Sequence, residues 1–225
     1  ARNIQLEAKP YATSFIDGTR AAESLTIPTA GVLNPQEGTI KLWLYAKDDI
    51  VSGVTALGWR AIFCHNYGTW PHNTLYLAKR GGTKNKWRVR INNNSSDTYN
   101  DITIDNIIEG WNHIAFRWNS SECAVFVNGV KAGSIENPYL PEIMAPTMQI
   151  GSFAFGEYIN TLIDDLRISN RARTDEEILA AYQSGQSLPV DEWTTWKADF
   201  ENSLRPSKSL QRDLSMSLVE GQEYM

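Results

Sequence analysis

The stretch Thr161-Leu-Ile-Asp-Asp-Leu-Arg-Ile-Ser-Asn-Arg-Ala-Arg-Thr-Asp-Glu-Glu-Ile-Leu-Ala-Ala-Tyr182 sets a buried strand directly before a short capped helix. From Leu162 to Ile168 apolar and polar residues alternate around the doublet Asp164-Asp165, which is the period of a strand. After the Asn170-Arg-Ala-Arg173 turn, Thr174-Asp-Glu-Glu177 has the spacing of a capping box. The Thr174 hydroxyl can accept an orphan amide of the first turn while Glu177 reaches back to the Thr174 amide. Ile178, Ala181 and Tyr182 then share one helical face, and Gly185 supplies the stop. Most of the remaining chain reads as strands, so the fold must close its sheets on one small helix.

Strand patterns separated by turn signals recur along the chain, as a sandwich requires. They fall at Gly38–Tyr45, Trp59–His65, Thr74–Lys79, Lys86–Asn92, Asp101–Asp105, Gly110–Trp118, Ala124–Val127, Val130–Ile135 and Glu192–Glu201. Arg80-Gly-Gly-Thr-Lys-Asn85 has the composition of a hairpin loop in which φ turns positive. Asn128-Gly129 is the strongest short-range hairpin signal. Asn92-Asn-Asn-Ser-Ser-Asp97 reads as a polar connection. Pro138, Pro141 and Pro146 make residues 137–146 an irregular crossover, because proline cannot donate to a sheet ladder.

Five segments, in order, resemble the laminin G-like, concanavalin A-like jelly rolls. Ser14-Phe-Ile-Asp-Gly-Thr-Arg20 with Leu25-Thr-Ile-Pro28 is similar to the opening strands, and Gly38-Thr-Ile-Lys-Leu-Trp-Leu-Tyr45 to the first long core strand. Gly110-Trp-Asn-His-Ile-Ala-Phe-Arg-Trp118 and Ala124-Val-Phe-Val-Asn-Gly129 are similar to the back-to-back central strands. Met148-Gln-Ile-Gly-Ser152 precedes the closing strand and helix described above. The resemblance covers residues 11–186 and implies an all-β, two-sheet antiparallel sandwich with one short C-terminal helix. The expected organisation is a linker or lead-in strand over 1–10, the jelly-roll domain over 11–204, and a tail or the start of a next module over 205–225. Ile4-Gln-Leu-Glu-Ala-Lys-Pro-Tyr-Ala-Thr-Ser-Phe-Ile16 further resembles a phrase at module junctions in tail and surface proteins of Gram-positive phages and prophages. With Ala1 in first place, the expectation is a piece of a longer extracellular or virion polypeptide.

A net charge of −5 without a basic run argues against nucleic acid or an anionic membrane as the main partner. No apolar stretch approaches the length of a membrane span. At 225 residues the chain is long enough to bury a core without staples. Cys64 and Cys123 sit within apolar runs and are expected as buried free thiols.

Retaining glucanases of the resembled fold carry two carboxylates in a Glu-x-Asp-x-Glu or Glu-x-Asp-x-x-Glu run, about 5–5.5 Å apart. No such run occurs here; the nearest alternation, Asp101-Ile-Thr-Ile-Asp105, reads as a solvent-facing strand edge. A glycan-cleaving enzyme would need carboxylates converging from separate strands, with Glu157, Asp101 and Asp105 the places to look. His65 and His72 could approach within one loop, but Cys64 would face away from His65, and His113 reads as a core residue. The resemblance implies a structural Ca²⁺ held by Asp17 with Asp164 or Asp165, against the plainer reading that these carboxylates hydrogen-bond loop amides.

The ligand-binding candidates are the aromatic-rich segment Trp59 to Asn73, holding Trp59, His65, Asn66, Tyr67, Trp70, His72 and Asn73, and the following strand with Trp87, Arg88 and Arg90. Sugars offer apolar C–H faces to rings and hydroxyls to amides and charges. Arg88 and Arg90, two apart, share a strand face and could meet an anionic or polyhydroxylated chain; the bland alternatives are a solvated face and a Trp70-Pro71 plug. The expected function is a non-catalytic, lectin-like module recognising cell-surface glycans. Adjacent modules or further copies of the chain are its other expected partners. A ligand-free structural domain of a tail or surface fibre is the main rival.

Overall fold

The computed structural model describes residues 25–47, 51, 59–66, 72–93, 100–152, 159 and 161–198. The expected linker over 1–10, the opening strand at 14–20 and the tail over 205–225 lie outside them. Twelve strands and one helix are described: β1 (Leu25–Pro28), β2 (Gly38–Ala46), β3 (Trp59–Asn66), β4 (Thr74–Arg80), β5 (Trp87–Ile91), β6 (Asn100–Ile104), β7 (Gly110–Trp118), β8 (Glu122–Val127), β9 (Val130–Glu136), β10 (Thr147–Ile150), β11 (Leu162–Ser169), α1 (Asp175–Ser184) and β12 (Thr194–Ala198). They form two six-stranded antiparallel sheets, β1-β10-β3-β4-β5-β6 (sheet A) and β12-β11-β2-β7-β8-β9 (sheet B). This is a jelly-roll sandwich. The connection over residues 137–146 contains no strand.

Period-two alternation sends one side of every strand into a shared core. Ile40, Leu42 and Leu44 of β2 and Ile114, Phe116 and Trp118 of β7 meet Leu75 and Leu77 of β4 and Trp87, Val89 and Ile91 of β5. Phe116 stacks on Trp118 at 5.5 Å and on Phe63 of the opposing sheet at 6.4 Å. The two indoles packed between the sheets are hydrogen-bonded: Trp118 donates to the Asn34 carbonyl at 3.1 Å and Trp87 to Asn85 Oδ1 at 3.1 Å. The two-residue turn between β8 and β9 has φ of 53° at Asn128 and 79° at Gly129, the type I′ geometry that an Asn-Gly pair favours.

The outer face of sheet B is covered by α1. Both halves of the capping box form, with the Thr174 side chain accepting from the Glu177 amide at 3.2 Å and Glu177 Oε2 accepting from the Thr174 amide at 2.8 Å. Gly185 closes the helix at φ 61°. Ile178 packs on Ala115, Ala124 and Phe126, and Tyr182 lies 6.0 Å from Trp43 and 6.2 Å from His113, ring to ring. Cys64 and Cys123 are buried free thiols, and burial pushes Cys123 up to about 12. Among the described residues no helix is long and apolar enough to cross a membrane.

Candidate functional site

The site is set by one irregularity in β3. Trp59 and Ala61 face outward from sheet A, but the register with β4 shifts between Ala61 and Phe63. The extra residue, Ile62, turns Phe63 into the core and returns Cys64 to the outer face. The outer face then carries a cross-strand row in register, Gln149–Cys64–Tyr76–Arg90–Asp101, contributed by β10, β3, β4, β5 and β6. A parallel row, Ala61–Ala78–Arg88–Thr103, runs beside it. Small residues form the floor between Trp59 and Tyr76: Ala61, Cys64 and Ala78.

On this floor the charged and aromatic side chains interlock. The Arg88 guanidinium lies over the half-buried Trp59 ring, 4.4 Å from its centroid. Arg90 forks onto Asp101, with Nε to Oδ1 at 2.6 Å and Nη2 to Oδ2 at 2.7 Å, while its guanidinium lies 5.8 Å from the Tyr76 ring. Arg88 reaches the same carboxylate through Nε, 3.3 Å from Oδ2. Trp59 and Tyr76 meet edge to face at 6.4 Å. Burial pushes the Tyr76 phenol up to about 12 against the opposing pull of Arg90, so it stays protonated. The cluster thus holds two guanidiniums, one carboxylate, one indole and a neutral phenol on one sheet face. Arg90, only 7% exposed, is ion-paired where a solvated face was the bland expectation.

The other residues singled out in the sequence go elsewhere. His65 is fully buried, its Nε2 accepting the Ala145 amide at 2.6 Å, and burial lowers its pKa to about 4. Asn73, at φ 45° and 1% exposed, accepts the Glu142 amide at 2.8 Å through Oδ1. Both side chains hold the proline-rich crossover against sheet A, which removes them from any ligand-facing surface. Trp87 points inward between the sheets and is completely buried, so its indole is core. His72 is half-buried before β4, its carbonyl accepting from the Thr74 hydroxyl at 3.3 Å. Asn66 ends β3; Tyr67 and Trp70 lie outside the described residues. The sheet face therefore joins Trp59, Arg88 and Arg90 of the expected set. It adds Tyr76 and Asp101, whose signal is their register opposite Arg90 on the two neighbouring strands.

The expected calcium ligands are also placed. Asp164 and Asp165 sit at a bulge in β11, with Asp165 at φ 43° and its amide donating to Asp164 Oδ1 at 2.8 Å. The buried Asp165 carboxylate takes Lys41 Nζ at 2.8 Å on one oxygen and the Ser187 hydroxyl at 2.8 Å on the other. An ammonium held at contact distance repels a second cation, so Asp165 does not fit a Ca²⁺ ligand. Among the described residues no group of three or more His, Cys, Asp or Glu side chains could hold a metal ion. Asp17 lies outside them.

A concavity of about 460 Å³ away from the outer face of sheet A is lined by Arg117, Asn119, Ser121 and Glu122 and by residues 172–176 before and within the first turn of α1. Arg117 within it pairs with Glu122 and with Asp175, and Lys131 beside it pairs with Glu122 at 2.8 Å. It ties helix to sheet.

No curated protein matches the chain. Among solved structures, the botulinum neurotoxin serotype D binding domain aligns with a TM-score of 0.56 at 12% identity, covering 72% of this chain and 41% of that one. A structure titled for botulinum neurotoxin type C cell entry through two ganglioside molecules aligns with a TM-score of 0.53 at 11% identity, covering 72% and 39%. The native heptameric SAP-like pentraxin from Limulus polyphemus aligns with a TM-score of 0.52 at 15% identity, covering 73% and 77%. The chain thus spans about two fifths of the toxin structures it matches, and identities this low show a shared fold. A family profile described as the concanavalin A-like lectin/glucanases superfamily matches residues 17–179, and the chain belongs to that family, the laminin G type of jelly roll.

Proposed function

We propose that the chain is a non-catalytic carbohydrate-binding module that holds a larger surface or tail protein against cell-envelope glycans. The observation that carries this reading is the half-buried Trp59 indole on a sheet face beside Arg88, Arg90 and Asp101. An indole offers a stacking surface for a sugar C–H face, and the adjacent charged groups offer donors and an acceptor for hydroxyls. Structural neighbours titled for ganglioside interaction and for a heptameric pentraxin are compatible with a binding module that works in several copies, where avidity multiplies weak sites.

Two carboxylates considered for hydrolysis are committed to cations. Asp101 is shared by Arg88 and Arg90, and Asp105, hydrogen-bonded to Lys86, is held below the usual carboxylate range. A glycosidase acid needs its pKa raised, so the Asp105 environment runs the wrong way for that role, while both Asp101 oxygens are engaged by Arg90. Glu157 lies outside the described residues.

The test is a screen of glycans and cell-wall polysaccharides with the intact chain and a Trp59→Ala variant whose melting curve matches the parent. A saccharide bound by the parent and lost by the variant supports the lectin-like reading. Silence across the screen from folded protein sinks it and leaves a structural spacer. Reducing sugar released from any hit would instead establish a hydrolase.

A further inference from the structure

Resting on that carbohydrate-binding reading, we infer that the Trp59–Arg88 face selects an acidic saccharide and seats its anionic group on Arg88. The first reason is where the charge lies. On the outer face of strands β3 to β6, among the described residues, Arg80, Arg88 and Arg90 stand against the single acid Asp101. The whole chain has a net charge of −5, so this local excess of cations opposes the global balance. Like-signed clusters on one face raise the local concentration of the opposite charge.

The second reason is the unequal treatment of the two arginines. Arg90 lays its fork on both oxygens of Asp101, at 2.6 and 2.7 Å. Arg88 meets it only at 3.3 Å, and its buried Nε makes no hydrogen bond. Beyond that ion pair, the Trp59 ring and the neighbouring Tyr76 phenol, the Arg88 guanidinium has no described partner. Its side chain is 25% exposed, so solvent and ligands reach it. A planar guanidinium with spare donors is matched to a carboxylate or phosphate, which it can grip through two N–H groups.

The third reason is preorganisation. Stacking on Trp59 restricts the Arg88 rotamers before a ligand arrives, so less entropy is lost on binding. The buried, protonated Tyr76 beside the guanidinium adds no negative charge to compete with an incoming anion. A sugar that lays a C–H face beside the indole brings its acidic substituent to the guanidinium. A neutral sugar would use the indole and leave the Arg88 donors to water.

The experiment is calorimetric titration of the intact chain with four probes: oligogalacturonate, its methyl ester, a neutral galactose oligomer and a glycerol phosphate polymer. The expected result is acid bound about 10- to 100-fold tighter than ester, the range set by one or two charge-assisted hydrogen bonds. Arg88→Gln should remove that preference while retaining binding of the ester. In parallel, the Trp59 indole N–H resonance of the unmodified chain should shift with oligogalacturonate more than with ester, a readout that does not depend on a variant folding. Equal binding of acid, ester and neutral oligomer leaves the carbohydrate reading standing and overturns acid selection. An acid preference that survives Arg88→Gln, with no shift at Trp59, overturns the site. Preference for the phosphate polymer alone supports anion selection with phosphate as the group. No binding in any arm overturns both readings together.

Discussion

Lys41 on β2 and Asp165 at the β11 bulge meet at 2.8 Å beneath the surface of sheet B, with side chains 10% and 1% exposed. The bulge turns Asp165 to φ 43° and delivers its carboxylate to Lys41 and Ser187 together. Removing Lys41 takes the counter-charge from the buried Asp165 carboxylate. Lys41→Met should cost about 3–5 kcal/mol, whereas Lys41→Met with Asp165→Asn should recover much of it. Urea denaturation of the two variants checks this; a double variant as unstable as the single one would refute the pairing as the cause. Addition of Ca²⁺ to Lys41→Met separates the ion pair from a latent metal site, and no rise in melting temperature is expected.

Gly38 opens β2 directly against the indole of Trp118, where a Cβ would fall 2.3 Å from the ring. Trp118 is completely buried and stacked on Phe116, so it cannot swing aside. Gly38→Ala should therefore destabilise by about 1–3 kcal/mol through overpacking, despite the better strand propensity of alanine. Pairing it with Trp118→Phe should relieve part of that cost, read as a smaller loss in denaturation midpoint than Gly38→Ala shows in the parent.

His65 makes the fold sensitive to mild acid. Its pKa is lowered from 6.5 to about 4 by burial, and its Nε2 must remain unprotonated to accept the Ala145 amide. The unfolded chain takes up this proton as pH drops below about 6.5, while the folded chain resists until about 4. Stability from this group is thus complete above pH 6.5 and declines as pH falls to about 4, by up to roughly 3 kcal/mol at about 1.4 kcal/mol per unit. His65→Gln, which keeps an acceptor for Ala145, should flatten denaturation free energy between pH 6.5 and 4.5. An unchanged slope would assign the acid sensitivity to other groups.

The same histidine shows where the sequence was readable and where it was not. Most strand positions, the Asn128-Gly129 turn and the Thr174 capping box are local, and local rules recover them from pattern and spacing, whereas the two-sheet arrangement came from the family resemblance. Strict alternation from Trp59 would put His65 on the same face as the indole. The Ile62 bulge reverses that parity, because one inserted residue sends everything beyond it to the other side. His65 thereby turns to the crossover, which Asn73 also holds from just before β4 at φ 45°, while Trp87 takes the inward side of β5. Arg88 and Arg90 were visible as a pair two residues apart, but the Asp101 that partners them becomes apparent only once β5 and β6 are in register. Asp165 was the least legible residue of the closing strand. Its partner Lys41 lies 124 residues away, and no local pattern announces an ion pair at that separation.

Arg117 of β7 fastens the helix to sheet B from beneath. Its guanidinium pairs with Asp175 Oδ1 at 2.5 Å, donates to the Arg173 carbonyl at 3.0 Å, pairs with Glu122 and lies 5.0 Å from the Phe126 ring. Thr174 holds the same first turn from above through the capping box. Thr174→Ala should cost about 1 kcal/mol. Arg117→Met keeps the aliphatic stem on Phe126 but removes the charge-assisted bonds, for about 2 kcal/mol. The two effects should fall short of additive by about 0.5 kcal/mol or more, because a first turn released from the sheet gains less from its cap. Denaturation of both single variants and the double variant measures that coupling. Strict additivity would mean that cap and guanidinium stabilise the chain independently, and that docking of α1 does not depend on how its first turn is closed.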